Sequence, residues 1–165
     1  MAKRYGFREY DAPPLEPLEL YTTKSGAEIV SQLFNFTDKG NREVSLRPEL
    51  TPSVARMVAA AERAYKKPIK WFGIPQLFRF EKQQKGRLRE HFQLNCDIFG
   101  EADTGADAEI IALLIDVLRA FGLTQDEFPV RLSSRRAWQE FFAARGGKPE
   151  QHAVDGHVSG GVGRR

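Results

Sequence analysis

Cysteine is nearly absent from this chain of 165 residues: Cys96 stands alone, so no intrachain disulfide can form and a reducing compartment is expected. Only three histidines occur, His91, His152 and His157, and none has a cysteine partner at a zinc-like spacing, so no protein-held metal is expected. No apolar run approaches the roughly 20 residues that span a bilayer. The opening MAKRYGFREY holds no apolar core of a secretory signal. These absences argue against a disulfide-stapled scaffold, a cysteine zinc site and a membrane-spanning helix within this sequence, and a cytoplasmic location is the expectation.

A large excess of one charge is missing too. Lys and Arg total 25 against 22 Asp and Glu, a net +3, so global basicity says little about partners. The cations cluster instead, with Arg63, Lys66, Lys67 and Lys70 in one group and Lys82, Lys85, Arg87 and Arg89 in another. Such patches suit phosphate-bearing partners, although a charge run is more often a solvated face. With 41% hydrophobic and 28% charged residues, the chain has the composition of a soluble globular protein and the length of one domain.

The local pattern predicts a helical turn ended by Gly6, then a short strand from Phe7 stopped by Pro13 and Pro14. Residues 17–32 read as a weak helical stretch broken at Ser25-Gly26. Residues 33–37 and 43–47 read as a hairpin around Asp38-Lys39-Gly40-Asn41. Thr51 is placed to cap a helix over residues 52–65, with Pro52 first and Val54, Met57, Val58 and Ala61 as a core stripe. A strand is predicted over 69–74, a helix opened by Asp103-Thr104 and stopped by Gly122, a strand over 128–132 and a last helix from Ser133-Ser134 to about 144. Residues 146–165 carry six glycines and no hydrophobic period, so a disordered tail is expected there.

The most informative stretch is residues 77–101, LFRFEKQQKGRLREHFQLNCDIFGE. On extended chain, Leu77, Arg79 and Glu81 share one face and Phe78 and Phe80 the other. Beyond the loop, His91, Gln93, Asn95 and Asp97 oppose Phe92, Leu94, Cys96 and Ile98. The spacing predicts an antiparallel pair with an apolar face for a core and a polar face beneath a basic loop. That polar face could simply be wet. Its mixture of residue types points further, since an arginine fork grips phosphate, a carboxylate accepts from an amine and amides orient small polar molecules.

Phe78-Arg79-Phe80-Glu81, then Gly86-Arg87-Leu88-Arg89-Glu90, then Gln93 and Asp97, resembles motif 2 of the class II aminoacyl-tRNA synthetases in its histidyl-tRNA synthetase form. Upstream, Arg4-Tyr5-Gly6-Phe7-Arg8-Glu9 with Pro13 is similar to the end of the family's motif 1, and Leu46-Arg47-Pro48-Glu49-Leu50-Thr51 to its amino-acid-pocket segment. The resemblance covers about residues 4–101. It implies an α/β (α+β) fold with a mixed, mostly antiparallel sheet flanked by helices. Residues 1–145 would form part of a catalytic domain, without counterparts of motif 3, a second histidine segment or the anticodon-binding domain.

The resemblance also implies roles. Arg79 and Gln93 would be catalytic, and Arg79, Glu81, Arg87, Arg89 and His91 would bind ATP, whose phosphates carry Mg2+. Glu49, Thr51, Arg79, Gln93 and Asp97 would bind histidine. Partners would be histidine, ATP and tRNA(His), in a homodimer away from membranes. Two positions depart from the family's pattern: Asp97 stands where a glutamate is usual, and His91 where a phenylalanine stacks on adenine. Besides the ligase, the same residues admit a non-catalytic histidine-binding relative like the regulatory subunit of ATP phosphoribosyltransferase, or a fragment with folding or dimerisation roles only. Retention of Arg79, Glu81 and Arg87 favours the ligase.

Overall fold

The computed structural model describes residues 1–82 and 84–146, apart from the side chains of Ala27, Glu28, Arg135 and Arg136. The expected tail lies, from residue 147 on, outside the described residues. The chain divides into two compact units, Met1–Gly122 and Leu123–Arg165.

The strands of the first unit are β1 (Arg8–Glu9), β2 (Leu15–Pro17), β3 (Asn35–Thr37), β4 (Glu43–Leu46), β5 (Ile69–Gly73), β6 (Gln76–Phe78), β7 (Glu90–Phe92) and β8 (Asn95–Phe99). Its helices are α1 (Glu19–Ser25), α2 (Thr51–Ala60) and α3 (Thr104–Ala120). The strands form three small sheets, β1-β5-β8, β2-β4-β3 and β6-β7. Only β1 with β5 runs parallel. The architecture is therefore mixed α/β with mostly antiparallel pairing, as the sequence predicts.

The β1-β5-β8 sheet separates two helices because its strands carry apolar residues on both faces. One face and Phe7 pack on α3, where Phe72, Cys96 and Ile98 meet Ile110, Leu113 and Val117. Ile69, Trp71 and Phe99 face the other way, onto Val54 and Val58 of α2. Two pieces of local punctuation act as read from the sequence. Gly6 (φ 77°) closes the short 3-10 helix Ala2–Tyr5, and the Asp103 carboxylate accepts from Gly105 N at 2.6 Å to cap α3. Cys96 is a partly buried packing residue, and burial pushes its thiol pKa up.

Several expectations are corrected. The run from Glu90 to Phe99 is two strands, since β7 pairs with β6 and β8 with β5, the change falling at Gln93 and Leu94. The apolar face of the β6-β7 ribbon is not its core side: Phe92 is 70% exposed and Phe80 exposed, whereas Leu77, on the polar face, is fully buried. Thr51 caps nothing; it is the first residue of α2, and Leu50 precedes it without a side-chain capping bond. α2 ends at Ala60 and a 3-10 turn, Glu62–Ala64, follows. Pro17, placed at the start of the weak helical stretch, instead ends β2, which runs along β4. Residues 128–132 form no strand, because Pro129 cannot donate to a ladder and Leu132 faces solvent.

In the second unit, Ser134 Oγ accepts from Ala137 N at 3.2 Å and opens α4 (Arg135–Ala144). Trp138 and Phe141 meet edge to face on that helix.

Candidate functional site

The segment after β4 is set by Arg47, which is 4% exposed. Its Nε donates to Gln76 O at 2.9 Å, and its NH1 donates to Asp11 Oδ1 at 2.9 Å and to Ala12 O. Its backbone N–H reaches Pro14 O and its carbonyl accepts from Phe78 N, each at 2.9 Å. A single buried guanidinium thus fastens residues 47–50 to β6 and to the chain after β1. With Pro48 and Leu50 buried on either side, Glu49 turns its carboxylate toward α1, where Lys24 Nζ lies 2.6 Å from Oε1. Thr51 is exposed at the start of α2 and borders a groove of about 730 Å³ between α1 and α2, lined by Leu20, Lys24, Pro52, Ala55 and Ala59.

Arg79 extends the ribbon past β6. Its N–H bonds to Arg89 O at 2.8 Å, and its Nε donates to Pro48 O at 3.2 Å, which brings a guanidinium onto the backbone beside Glu49. Glu81 lies one pair further along. Its carboxylate takes Arg87 Nε at 3.0 Å, and its carbonyl takes Arg89 Nε at 3.1 Å. The Arg89 guanidinium also lies 4.6 Å from the centre of the Phe80 ring, a cation–π distance. The loop closes through a bridge between Gln84 and Arg87, with Gly86 at φ 77°, a backbone that disfavours side chains.

On the return strand, His91 stands opposite Leu77. Gln93 N–H bonds to Pro75 O at 3.2 Å, and its side-chain amide donates to Asn95 Oδ1 at 3.0 Å. Asp97 lies opposite Trp71 in the neighbouring sheet, with the Tyr10 hydroxyl 3.5 Å from Oδ2. Burial holds the Asp97 carboxyl above its ordinary range, and the hydroxyl opposes this to a lesser degree. Tyr10 is pushed up by burial first and then by the Asp97 charge.

The predicted residues therefore fall into local groups. Arg79 joins the Glu49 segment, Glu81 joins Arg87 and Arg89, Gln93 joins Asn95, and Asp97 joins Tyr10. Among the described residues no direct hydrogen bond or ion pair links Arg79 to Gln93 or to Asp97. Sequence reasoning missed Arg47, Lys24 and Tyr10 as site residues. Tyr10 is legible as one face of a strand, but its partner is 87 positions away; Arg47 shows no local sign of being buried. Among the described residues no three His, Cys, Asp or Glu side chains gather into a metal-holding group. None of the described helices is long and apolar enough to cross a membrane.

The profile of the family described as histidyl-tRNA synthetase matches residues 1–155. The histidine–tRNA ligase of Opitutus terrae is 58% identical over 145 residues, covering 88% of this chain and 33% of the relative. A solved structure from Bacillus halodurans, titled ATP phosphoribosyltransferase regulatory subunit/histidyl-tRNA synthetase, superposes with a TM-score of 0.66 at 26% identity, covering 75% of this chain and 32% of that one. The apo histidyl-tRNA synthetase of S. aureus gives a TM-score of 0.61 at 26% identity over 74% of this chain and 28% of that one. The chain spans about a third of the length of the curated relatives it matches.

Proposed function

The chain belongs to the histidyl-tRNA synthetase family, and on that premise we propose that it supplies the ATP- and histidine-binding part of a histidine–tRNA ligase catalytic domain. The observation that carries this reading is the 3.2 Å bond from Arg79 Nε to Pro48 O, which seats a cation of the hairpin beside Glu49. In the reaction proposed, a carboxylate oxygen of histidine attacks the α-phosphorus of ATP, pyrophosphate leaves, and the adenylate then passes histidine to the terminal ribose of tRNA(His). Such an in-line displacement needs positioning and cationic stabilisation rather than a protein nucleophile.

Arg79 would face the α-phosphate and the histidine carboxylate. Glu81 and Arg87, paired with each other in this structure, would part on nucleotide binding, Arg87 turning to the γ-phosphate and Glu81 to the adenine amino group. Arg89 would steady the loop, and His91 would lie against adenine with a smaller stacking surface than a phenylalanine. Glu49, Gln93 and Asp97 would receive the histidine ammonium, with Thr51 adding a hydroxyl. Magnesium would come bound to the ATP phosphates. Assembly as a homodimer belongs to the same proposal.

Histidine-dependent exchange of pyrophosphate into ATP tests it, in this chain and in a full-length ligase carrying it. Arg79→Ala should slow exchange by about 10²- to 10³-fold, the scale of losing one charge-stabilising group. The structural likeness to the Bacillus halodurans protein, with its double title, favours one second reading, a histidine-binding regulator. Histidine binding without exchange in the full-length protein would establish that reading and remove the first.

A further inference from the structure

The Glu49 carboxylate already holds an ammonium. Lys24 Nζ lies 2.6 Å from Oε1, and no second hydrogen bond or ion pair holds Glu49 among the described residues. We infer that Lys24 is an internal occupant of the ammonium position on Glu49, so that it competes with amine-bearing ligands and sets their affinity. The inference rests on the reading above, in which Glu49 receives the amino group of histidine.

A lysine head and the α-ammonium of an amino acid are the same chemical group, each with three N–H donors and one positive charge. A carboxylate paired at 2.6 Å is neutralised, and a second cation approaching it gains little until the first withdraws. The acceptor is the fixed partner. Glu49 sits between the buried residues Pro48 and Leu50, next to the Arg47 fastening, and its side chain is 28% exposed.

Lys24 is the mobile partner. Its side chain is 44% exposed, and solvent is open to it. α1 itself need not move, because Tyr21, one turn earlier on the same side of the helix, is buried to 1% exposure and holds the backbone. Withdrawal is thus a rotamer change of one long side chain. An ion pair this exposed is weak, so the competition is worth only about two- to fivefold in affinity. Selectivity follows from the chemistry: the penalty falls on ligands with an ammonium and spares those without one.

Calorimetric titration of the whole chain with L-histidine and with 3-(imidazol-4-yl)propanoate, which lacks the amine, tests this. Lys24→Met should bind histidine roughly two- to fivefold more tightly and leave the amine-free ligand unchanged, while Lys24→Arg, which keeps a cation there, should restore the weaker binding. In a Glu49→Gln background the gain from Lys24→Met should disappear. Unchanged or weaker histidine binding by Lys24→Met, or an equal gain for both ligands, overturns the role of Lys24. Histidine binding that is indifferent to Glu49→Gln, or absent from the unaltered chain, overturns the placement of the ammonium and the proposed function with it.

Discussion

Replacing Arg47 by methionine should destabilise the first unit by about 2–4 kcal/mol, a value that follows from the acceptors left behind. Methionine keeps most of the apolar stem, so little cavity opens. The lost guanidinium had satisfied Ala12 O and Gln76 O in a place where Arg47 is only 4% exposed. Each orphaned carbonyl, Ala12 O buried and Gln76 O part-buried, costs about 1–2 kcal/mol. The third partner adds little, because the Asp11 side chain is 73% exposed and returns to water. Asp11→Asn, which keeps the acceptor oxygen, should therefore cost under about 1 kcal/mol. Urea unfolding followed by far-UV circular dichroism checks both variants, and for a unit of 122 residues the Arg47→Met midpoint should fall by roughly 10 °C on heating. A cost below about 1 kcal/mol for Arg47→Met at unchanged m-value, or a larger cost for Asp11→Asn, would refute the view that one buried cation fastens residues 47–50.

Two further outcomes follow from groups already described. Burial raises the Asp97 pKa above its ordinary value of 3.8, so the folded chain holds that proton more tightly than the unfolded one. Stability contributed by this group therefore falls as pH rises from about 3.8 through the raised value and stays low above it. Asp97→Asn should raise the melting temperature at pH 7, and the gain should shrink as pH approaches 4; a gain independent of pH, or a loss at pH 7, contradicts the desolvation account. Gly100 adopts φ +79°, and a Cβ there would stand 2.6 Å from Lys67 Cδ. Gly100→Ala should cost about 1–2 kcal/mol in urea unfolding, from the left-handed backbone and the displaced lysine stem together.

What the sequence discloses and what it hides divide by range. Gly6, the Asp103 cap and the buried positions Val54 and Val58 of α2 are legible because their signals lie within one or two turns of chain. The alternation over residues 77–98 shows which side chains share a face but not which face turns inward. Leu77 is buried on the polar side and Phe92 is bare, an outcome decided by elements elsewhere in the fold. The change of partner at Gln93 is hidden for the same reason, since no local rule reveals that β5, some twenty residues upstream, claims the second half of the strand. For the site, residue types were readable while proximities were not. The bond from Arg79 to Pro48 spans 31 positions and that from Tyr10 to Asp97 spans 87. Arg47 looks like any strand-end arginine until Ala12 and Gln76 are seen to close around it.

The two residues between Phe92 and Asn95 work as a splice between ribbons. Side chains alternate on each ribbon, so one extra or missing residue at the splice would turn over every side chain of whichever ribbon yielded, bringing Asp97 round to the α3 side of its sheet and Cys96 away from it. The loop around Gly86 is freer at its tip, because residues added beyond the Gln84–Arg87 bridge lie outside the β6-β7 ladder and need not shift its pairing. Natural length variation in this region should therefore gather at the loop tip and leave the splice untouched.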